Sequence, residues 1–368
     1  MADAIHLVPA EKVEEQCATV LRAWGMDEAK VALTARLMTE TDLRGIESHG
    51  ISMLILYDQM HGTGQLKLSA DPEIVRESAT TALIDAKGGL GHPVSVTAME
   101  MAIEKARRSD IGVVSVFNSH HFGAAGLYAE MAAKAGMIGI VSCTSKIVTV
   151  VPTFGAQRQL GTNPFAFAAP SKRHPIVLLD MSTSVVAANK VKAYALRGKP
   201  IPAGWVSDAV GNTVTDSQAA YDLLFKGAEG GLGPIGGVGM LLGGHKGYGL
   251  AIFAQILSST LSGGSFSPIR NRSQKPGDGD NIGQFFQVIN PEAFRPREEF
   301  EADLDTLIDE LRATRPANPD TPVLIPGDPE WKSREEKLAQ GIPIADSLAR
   351  TIRDIAGRAG APYVLDIA

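Results

Sequence analysis

The sequence predicts an α/β protein, a layer of strands alternating with helices and bracketed by helical segments at both ends. Two patterns carry that prediction. From about residue 70 onward, short apolar runs of strand length alternate with longer stretches of helical period. The first sixty residues and those after 289 carry mainly helical stripes instead.

Taken in order, residues 10–24 set Val13, Cys17, Val20, Leu21 and Trp24 on one helical face that stops at Gly25. Asp27 can cap a second helix, whose inner face uses Val31, Ala35 and Met38 and which ends near Gly45. A third helix, with Ile51, Leu54, Ile55 and Met60 on one side, stops at Gly62-Thr63-Gly64. Strands are predicted at 81–85, 113–117, 138–142, 165–168 and 176–179, with helices at 94–108, 124–135 and 185–196. Three polar features fall at the ends of predicted strands, where α/β sheets gather ligands: His120-His121, Ser145-Lys146 and Asp180. Residues 201–205 read as an ordered, proline-bearing loop, and the glycine-rich stretch between Gly227 and Gly244 as a flexible one. An apolar helix at 250–261, a polar, lid-like loop at 263–283, a strand at 285–289 and helices near 296–313, 328–339 and 345–357 complete the chain. The expected division is a helical unit at 1–68 packed with C-terminal helices from 290–368, and an α/β domain at 69–289 that carries these strand-end features.

The 368 residues, 44% hydrophobic and 21% charged, have ordinary globular composition. A net charge of -6 leaves no basic footprint for nucleic acid. Two cysteines, Cys17 and Cys143, are too few for a disulfide scaffold and fit a reducing compartment. The N-terminus has no signal-peptide pattern, and the longest apolar candidate, 248–261, is too short to span a membrane. A soluble cytoplasmic protein is expected.

Chemistry concentrates first at Ser48-His49, a polar pair between Gly45 and Gly50 at the junction of two helical segments. Histidine exchanges protons near neutral pH, and a packing role competes with that reading. Neighbouring Ser48 and His49 are not expected to bond as nucleophile and base, and no G-x-S-x-G elbow is present. Gly231-Leu232-Gly233-Pro234-Ile235-Gly236 matches G-x-G-x-x-G but lacks the flanking strand, helix and acidic residue of a dinucleotide fingerprint. Side chains alternate along an extended segment, so His120 and His121 point apart and do not share a metal ion. With no H-E-x-x-H or C-x-x-C spacing, no metal is expected. One of the two histidines lines a pocket, and His121, followed by Phe122-Gly123, is the better candidate.

Five ordered motifs make the pattern recognisable: Ser48-His49-Gly50 after Asp42-Leu43-Arg44-Gly45, Ser119-His120-His121-Phe122-Gly123, Thr162-Asn163-Pro164, Gly244-His245-Lys246-Gly247-Tyr248-Gly249-Leu250 and Ile325-Pro326-Gly327-Asp328. Over residues 7–357 the chain resembles the malate/L-lactate dehydrogenase superfamily that lacks a Rossmann fold. Its members include ureidoglycolate and sulfolactate dehydrogenases, diketogulonate reductase and cyclic imino-acid reductases. The resemblance implies a three-layer α/β/α fold with a mixed sheet of the sulfolactate-dehydrogenase type. It also implies a homodimeric, NAD- or NADP-dependent oxidoreductase that moves a hydride between nicotinamide and a small 2-oxo or 2-hydroxy acid. A reductase of cyclic imino acids, or a catalytically silent paralogue that binds a metabolite or partner through the same cleft, is the alternative.

On that resemblance His49 is the leading acid/base, with Ser48 orienting it or touching substrate. His121 stands at the histidine of the family's Ser-Asn-His-Phe-Gly, treated as the base in ureidoglycolate dehydrogenases, so the two compete for one role. Thr162 would contact substrate or nicotinamide, Tyr57 and Lys146 would line the pocket, and Ser145, Asp180, Ser182, Gly327 and Asp328 would hold the cofactor. The chain departs from the family at Met53, where Ser-His-Gly-x-x-Arg places an arginine that would clamp a carboxylate. Losing such a contact, worth about 1.5–3 kcal/mol, weakens binding roughly ten-fold to more than a hundred-fold. Either another cation such as Lys146 replaces it, or the substrate is bulkier and less charged. The glycine-rich stretch is longer than the family pattern and is expected to enlarge a surface loop.

Overall fold

In the computed structural model, which describes residues 3–266, 275 and 278–367, the alternating region folds into a seven-stranded mixed sheet. Its strands are β2 (Glu73–Glu77), β3 (Thr81–Asp85), β4 (Ile111–Ser119), β5 (Ile138–Cys143), β6 (Phe165–Ala169), β7 (Val177–Met181) and β11 (Ile282–Ile289), in the order β2-β3-β4-β11-β5-β6-β7. Only β3 and β4 pair in parallel, joined through helix α4 (Gly91–Ser109); the other neighbours are antiparallel. β11, from late in the chain, slots between β4 and β5.

Alternation along β11 defines the layers. Phe286 and Val288 join the apolar cluster beneath α4 and α5 (Gly126–Lys134), and the Gln284 side chain bonds Ser95 of α4. Gly283 faces the other way, onto the π-helical turn Ile256–Thr260 that continues α8 (Gly244–Gln255), where an added Cβ would lie 1.9 Å from the Ser258 carbonyl. Gly112 of β4 and Gly139 of β5 admit the helix backbones on the first face, since a Cβ there would come within 1.9 Å of Ala102 O and 2.4 Å of Ala129 O. The result is three layers, α/β/α.

The two ends of the chain meet. Helices α1 (Ala10–Ala23), α2 (Glu28–Leu43) and α3 (Leu54–Gly62) bury Val13, Cys17, Leu21, Met38 and Tyr57 with Ile352 and Ile355 of the last helix, α11 (Asp346–Ala359). Each such aliphatic side chain contributes about 1.5–3 kcal/mol when taken out of water. Strand β1 (Ile5–Val8) pairs antiparallel with β12 (Ile342–Ala345). Neither is visible to a periodicity argument, because a four-residue strand takes its stability from a partner more than 300 positions away.

Several expectations are corrected. Asp180 lies within β7 rather than closing it. The helix expected at 250–261 begins earlier, at Gly244, and widens into the π turn. The expected flexible loop between Gly227 and Gly244 is instead partly buried structure. Its strand β10 (Gly231–Leu232) pairs with β8 (Val206–Ser207), which pairs with β9 (Thr213–Val214). The glycines there serve close backbone approach: a Cβ on Gly231 or Gly233 would meet a carbonyl oxygen at 2.7 or 2.8 Å. Helix α7 (Ser217–Lys226), between β9 and β10, was not anticipated either. Of the polar loop expected at 263–283, residues 267–274 and 276–277 lie outside the described residues, and 282–283 belong to β11. Both cysteines are buried free thiols, and no described helix is long and apolar enough to cross a membrane.

Arg44, at the C-terminal end of α2, fastens the helical end of the chain to the sheet layer. Its guanidinium bonds Glu40 at 2.9 Å and Glu130 of α5 at 2.7 Å, and it stacks 4.7 Å above the Trp331 ring. Arg44 and Glu130 are both buried, and breaking such a pair leaves a charge in a dry environment. Arg44→Ala is therefore expected to cost about 3–5 kcal/mol in urea unfolding, far more than Arg107→Ala on the exposed face of α4.

Candidate active site

The Ser48-His49 junction is built by Asp42. This residue, in the last turn of α2, reaches across the reversal at Gly45 (φ +82°) and accepts the Ile51 N–H at 2.7 Å. Gly50 makes room for that carboxylate, since a Cβ at residue 50 would sit 2.0 Å from Asp42 Oδ1. Burial pushes the Asp42 carboxyl up to about 7, against the opposing pull of the Ile51 N–H and Lys337. Pinned at both ends, residues 47–50 form an outward turn, and Ser48 Oγ lies 2.7 Å from His49 Nδ1. That contact corrects the expectation that the neighbours do not bond. Strand alternation separates adjacent side chains, but in this turn the two side chains converge.

His121, just beyond β4, faces this turn. The His49 and His121 ring centroids are 5.2 Å apart. Tyr57 of α3 places its hydroxyl 2.7 Å from His121 Nδ1, and the Gly123 N–H donates to the same nitrogen at 3.3 Å. An N–H donor at Nδ1 requires a lone pair there, so the neutral ring carries its proton on Nε2. Burial pushes the Tyr57 phenol well above 10, with Tyr128 and Cys17 adding to it, and Tyr57 remains an O–H donor. His121 is driven well below 6.5 by burial and then by His49 and His92, while His49 is lowered by burial.

His92 is the residue that sequence reasoning missed. It opens α4, its ring lies 6.2 Å from Tyr57 and 6.3 Å from His121, and burial drives it down to about 3. Neither ring nitrogen has a hydrogen-bond partner among the described residues. The available signal was a histidine at a helix start, in Gly91-His92-Pro93 after two further glycines. Three uncharged imidazoles and a phenol thus surround one corner.

His120 turns away from it. His120 is fully buried, with Nδ1 3.1 Å from Asp280 Oδ2 and Nε2 3.0 Å from the Gln65 carbonyl. Asp280 Oδ1 in turn lies 2.9 Å from the Lys146 ammonium. Burial raises the Asp280 carboxyl, but hydrogen bonds from His120 and Lys146 outweigh it and hold it at about 2. Among the described residues no group of three His, Cys, Asp or Glu side chains is arranged to hold a metal.

The candidate cofactor residues gather around β7. Asp180 Oδ2 accepts the Gly126 N–H at the start of α5, 2.7 Å away, and burial raises its carboxyl to about 6. The loop before Gly327 is tied to β7 by Leu178 N–H to Pro326 O, and Gly327 (φ +102°) packs so closely that a Cβ would be 3.2 Å from Leu178 N. Thr162 O accepts both the backbone N–H and the hydroxyl of Thr183, beside Ser182, whose Oγ meets Ser184 Oγ at 2.9 Å. Ser145 stands apart, half-buried next to Lys146. The small residues Gly123 to Gly126 connect His121 to Asp180, whose carboxyl accepts the Gly126 N–H and which stands two residues before the Ser182 hydroxyl. That donor set fits a nicotinamide nucleotide, except at Asp328. Both its oxygens are engaged, by Arg312 at 2.8 Å and by the Ile325 N–H at 2.8 Å, which makes it a loop staple. Met53 is half-buried against the apolar cluster of the chain ends.

Comparison with known proteins agrees over nearly the whole chain. Residues 8–353 match the profile of the family described as malate/L-lactate dehydrogenase. A malate dehydrogenase of Pyrococcus horikoshii is 41% identical over 354 residues, which is 96% of this chain and 95% of that one. A ureidoglycolate dehydrogenase (NAD(+)) of Escherichia coli O157:H7 is 32% identical and covers 88% of each chain. The crystal structure of malate dehydrogenase from Entamoeba histolytica superposes with a TM-score of 0.91 at 31% identity, over 98% of this chain and 99% of that one.

The Asp42 anchor has a pH signature. A carboxyl raised from 3.8 in the unfolded chain to about 7 in the fold binds more protons folded than unfolded, so stability falls as pH rises through that window. Asp42→Asn, which keeps an acceptor for Ile51, is expected to flatten this fall in thermal melts taken from pH 4 to 8. Asp42→Ala leaves the buried N–H unpaired and is expected to lose about 1–3 kcal/mol throughout.

Proposed function

The chain belongs to the malate/L-lactate dehydrogenase family of oxidoreductases acting on CH–OH groups, and from that premise we propose that it transfers a hydride between NAD or NADP and a small 2-oxo or 2-hydroxy acid. The observation that carries this reading is the packing of His49 against His121, each tied at Nδ1 to its own hydroxyl residue. The nicotinamide supplies the hydride. Asp180, Ser182, Gly327 and Ser145 would hold the cofactor, with Asp328 shaping the loop. Thr162 and Lys146 would meet the substrate.

Division of labour follows from the tautomers. His121, with donors at Nδ1, offers an Nε2–H that grips the substrate oxygen and polarises it. His49 can donate Nδ1–H to Ser48 and present the Nε2 lone pair, so it takes the hydroxyl proton during oxidation and returns one during reduction. Because burial depresses His49, its free base dominates at neutral pH and favours oxidation, and acidification favours reduction. Tyr57 holds His121 in place.

Met53 supports a less charged substrate, which keeps cyclic imino acids in view. Its side chain packs on apolar neighbours, where relatives' Ser-His-Gly-x-x-Arg pattern supplies a cation. A cytoplasmic location is supported by the two buried, unpaired thiols. A homodimer is supported by the exposed apolar side chains Leu250 and Phe253 of α8 and Ile256 of the π turn that follows it.

A panel of 2-oxo acids, 2-hydroxy acids and cyclic imines assayed with NADH, NADPH and their oxidised forms tests the reading. Turnover with a 2-oxo or 2-hydroxy acid is expected, and Met53→Arg is expected to improve small dicarboxylates about ten-fold. Failure to bind either reduced nicotinamide at millimolar concentration would end it.

A further inference from the structure

Beyond β4 the chain leaves the sheet, and the consecutive carbonyls of His120, His121 and Phe122 are each taken up by a different element. Gln284 Nε2 of β11 donates to the His120 carbonyl at 3.3 Å, and the Gly91 N–H at the start of α4 donates to the His121 carbonyl at 3.0 Å. The Phe122 carbonyl accepts from the Tyr128 hydroxyl of α5. A peptide is planar and trans, so the Phe122 C=O and the Gly123 N–H belong to one rigid plane and point in opposite directions. The N–H side of that plane donates to His121 Nδ1 at 3.3 Å. Tyr128 thus stands one peptide away from the imidazole.

The two groups that meet His121 Nδ1 differ in what they can enforce. The Tyr57 hydroxyl, 2.7 Å away, can donate to a lone pair or accept from an N–H, so it suits either neutral tautomer. A backbone N–H can only donate, and a proton on Nδ1 would meet it donor to donor. The Gly123 N–H is therefore the group that decides the tautomer, and the angle of its peptide decides whether it can. Tyr128 holds that angle. It is fully buried, stacked on the Phe122 ring at 5.2 Å and edge-on to Phe286 at 6.0 Å, so its hydroxyl is kept against the carbonyl. Burial pushes the Tyr128 phenol well above 10, and it remains an O–H donor. Gly123 takes φ +79°, and a Cβ there would lie 2.7 Å from His92 Nε2, so glycine alone lets the plane turn this way.

We infer that Tyr128 is a positioning residue for the reaction: through the Phe122–Gly123 peptide it aims the Gly123 N–H at His121 Nδ1 and so fixes His121 as the Nε2–H tautomer. This deepens the dehydrogenase reading and rests on it only for what Nε2–H does, which is to donate to the substrate oxygen. The tautomer itself belongs to the resting protein. Without the phenol hydroxyl the Phe122 carbonyl loses its buried donor, the peptide can rotate, and Tyr57 by itself leaves both tautomers open. In the Nδ1–H form, Nε2 would turn a lone pair toward the substrate oxygen and repel it.

The test has two readouts. Protein labelled with 15N-histidine is compared with Tyr128→Phe at pH 7, and His121 is assigned by the signals lost in His121→Gln. In the wild type Nε2 is expected to carry the proton and Nδ1 to be bare, and a proton on Nδ1 overturns the inference without any variant. Tyr128→Phe keeps both ring contacts, and its two His121 shifts are expected to move toward each other as both tautomers become populated. Unmoved shifts in that variant overturn the inference. In steady-state reduction of oxaloacetate and of pyruvate with NADH and NADPH, Tyr128→Phe is expected to lower kcat about ten-fold, or about 1.4 kcal/mol of barrier, with KM within two-fold. In the His121→Gln background the same change is expected to cost nothing further. An unchanged kcat, or a loss that persists in that background, overturns the positioning role. Wild-type protein that reduces no 2-oxo acid with either nicotinamide ends the dehydrogenase reading, and the nitrogen shifts then decide the role of Tyr128 alone.

Discussion

A single carboxylate-to-amide contact organises this corner of the molecule. Asp42, still within α2, accepts the Ile51 N–H across the turn that carries Ser48 and His49, and Gly50 is glycine because the carboxylate occupies the space a side chain would need. The same stretch of helix supplies Arg44, which grips Glu130 of α5 and Trp331. One residue sets the turn and the other sets where that turn lies relative to the sheet. Their burial explains why a short polar motif behaves as architecture at one end and chemistry at the other.

What that architecture presents is a desolvated set of imidazoles. Burial lowers His49, His92 and His121 together, and each charged form would repel the others. A neutral cluster can still differentiate roles through its hydrogen bonds. Tyr57 and Gly123 occupy Nδ1 of His121, whereas among the described residues the Ser48 hydroxyl, able to accept or donate, meets Nδ1 of His49. One ring is committed to donating from Nε2 and the other is left able to change protonation. Charge is kept instead in the Asp280–Lys146 ion pair, beside the buried His120.

The helices and most sheet strands were legible because their periodicity is local, and the family motifs singled out His49 and His121 as competitors for one role, with Tyr57 a candidate for the pocket wall, before any geometry was known. What was not legible depended on distance in sequence. β11 enters the middle of the sheet from late in the chain, β1 needs β12, and His120 acquires its meaning from Asp280, 160 residues away. Glycine was the most misleading signal. Between Gly227 and Gly244 its abundance read as freedom, whereas Gly231 and Gly233 are there because carbonyl oxygens pack against them. His92 was passed over because a histidine at a helix start carries no motif, and only its burial next to His121 draws it out.

In the proposed reaction His49 moves the proton while His121 grips the substrate oxygen. The most direct measurement is the pH dependence of kcat/KM for 2-oxo acid reduction in the wild type, His49→Gln and His121→Gln. The wild type is predicted to show a titrating limb below pH 6.5, the side to which burial shifts His49. His49→Gln should lose that limb, and His121→Gln should keep it at a much lower rate. A limb that survives in His49→Gln and disappears in His121→Gln would contradict the assignment.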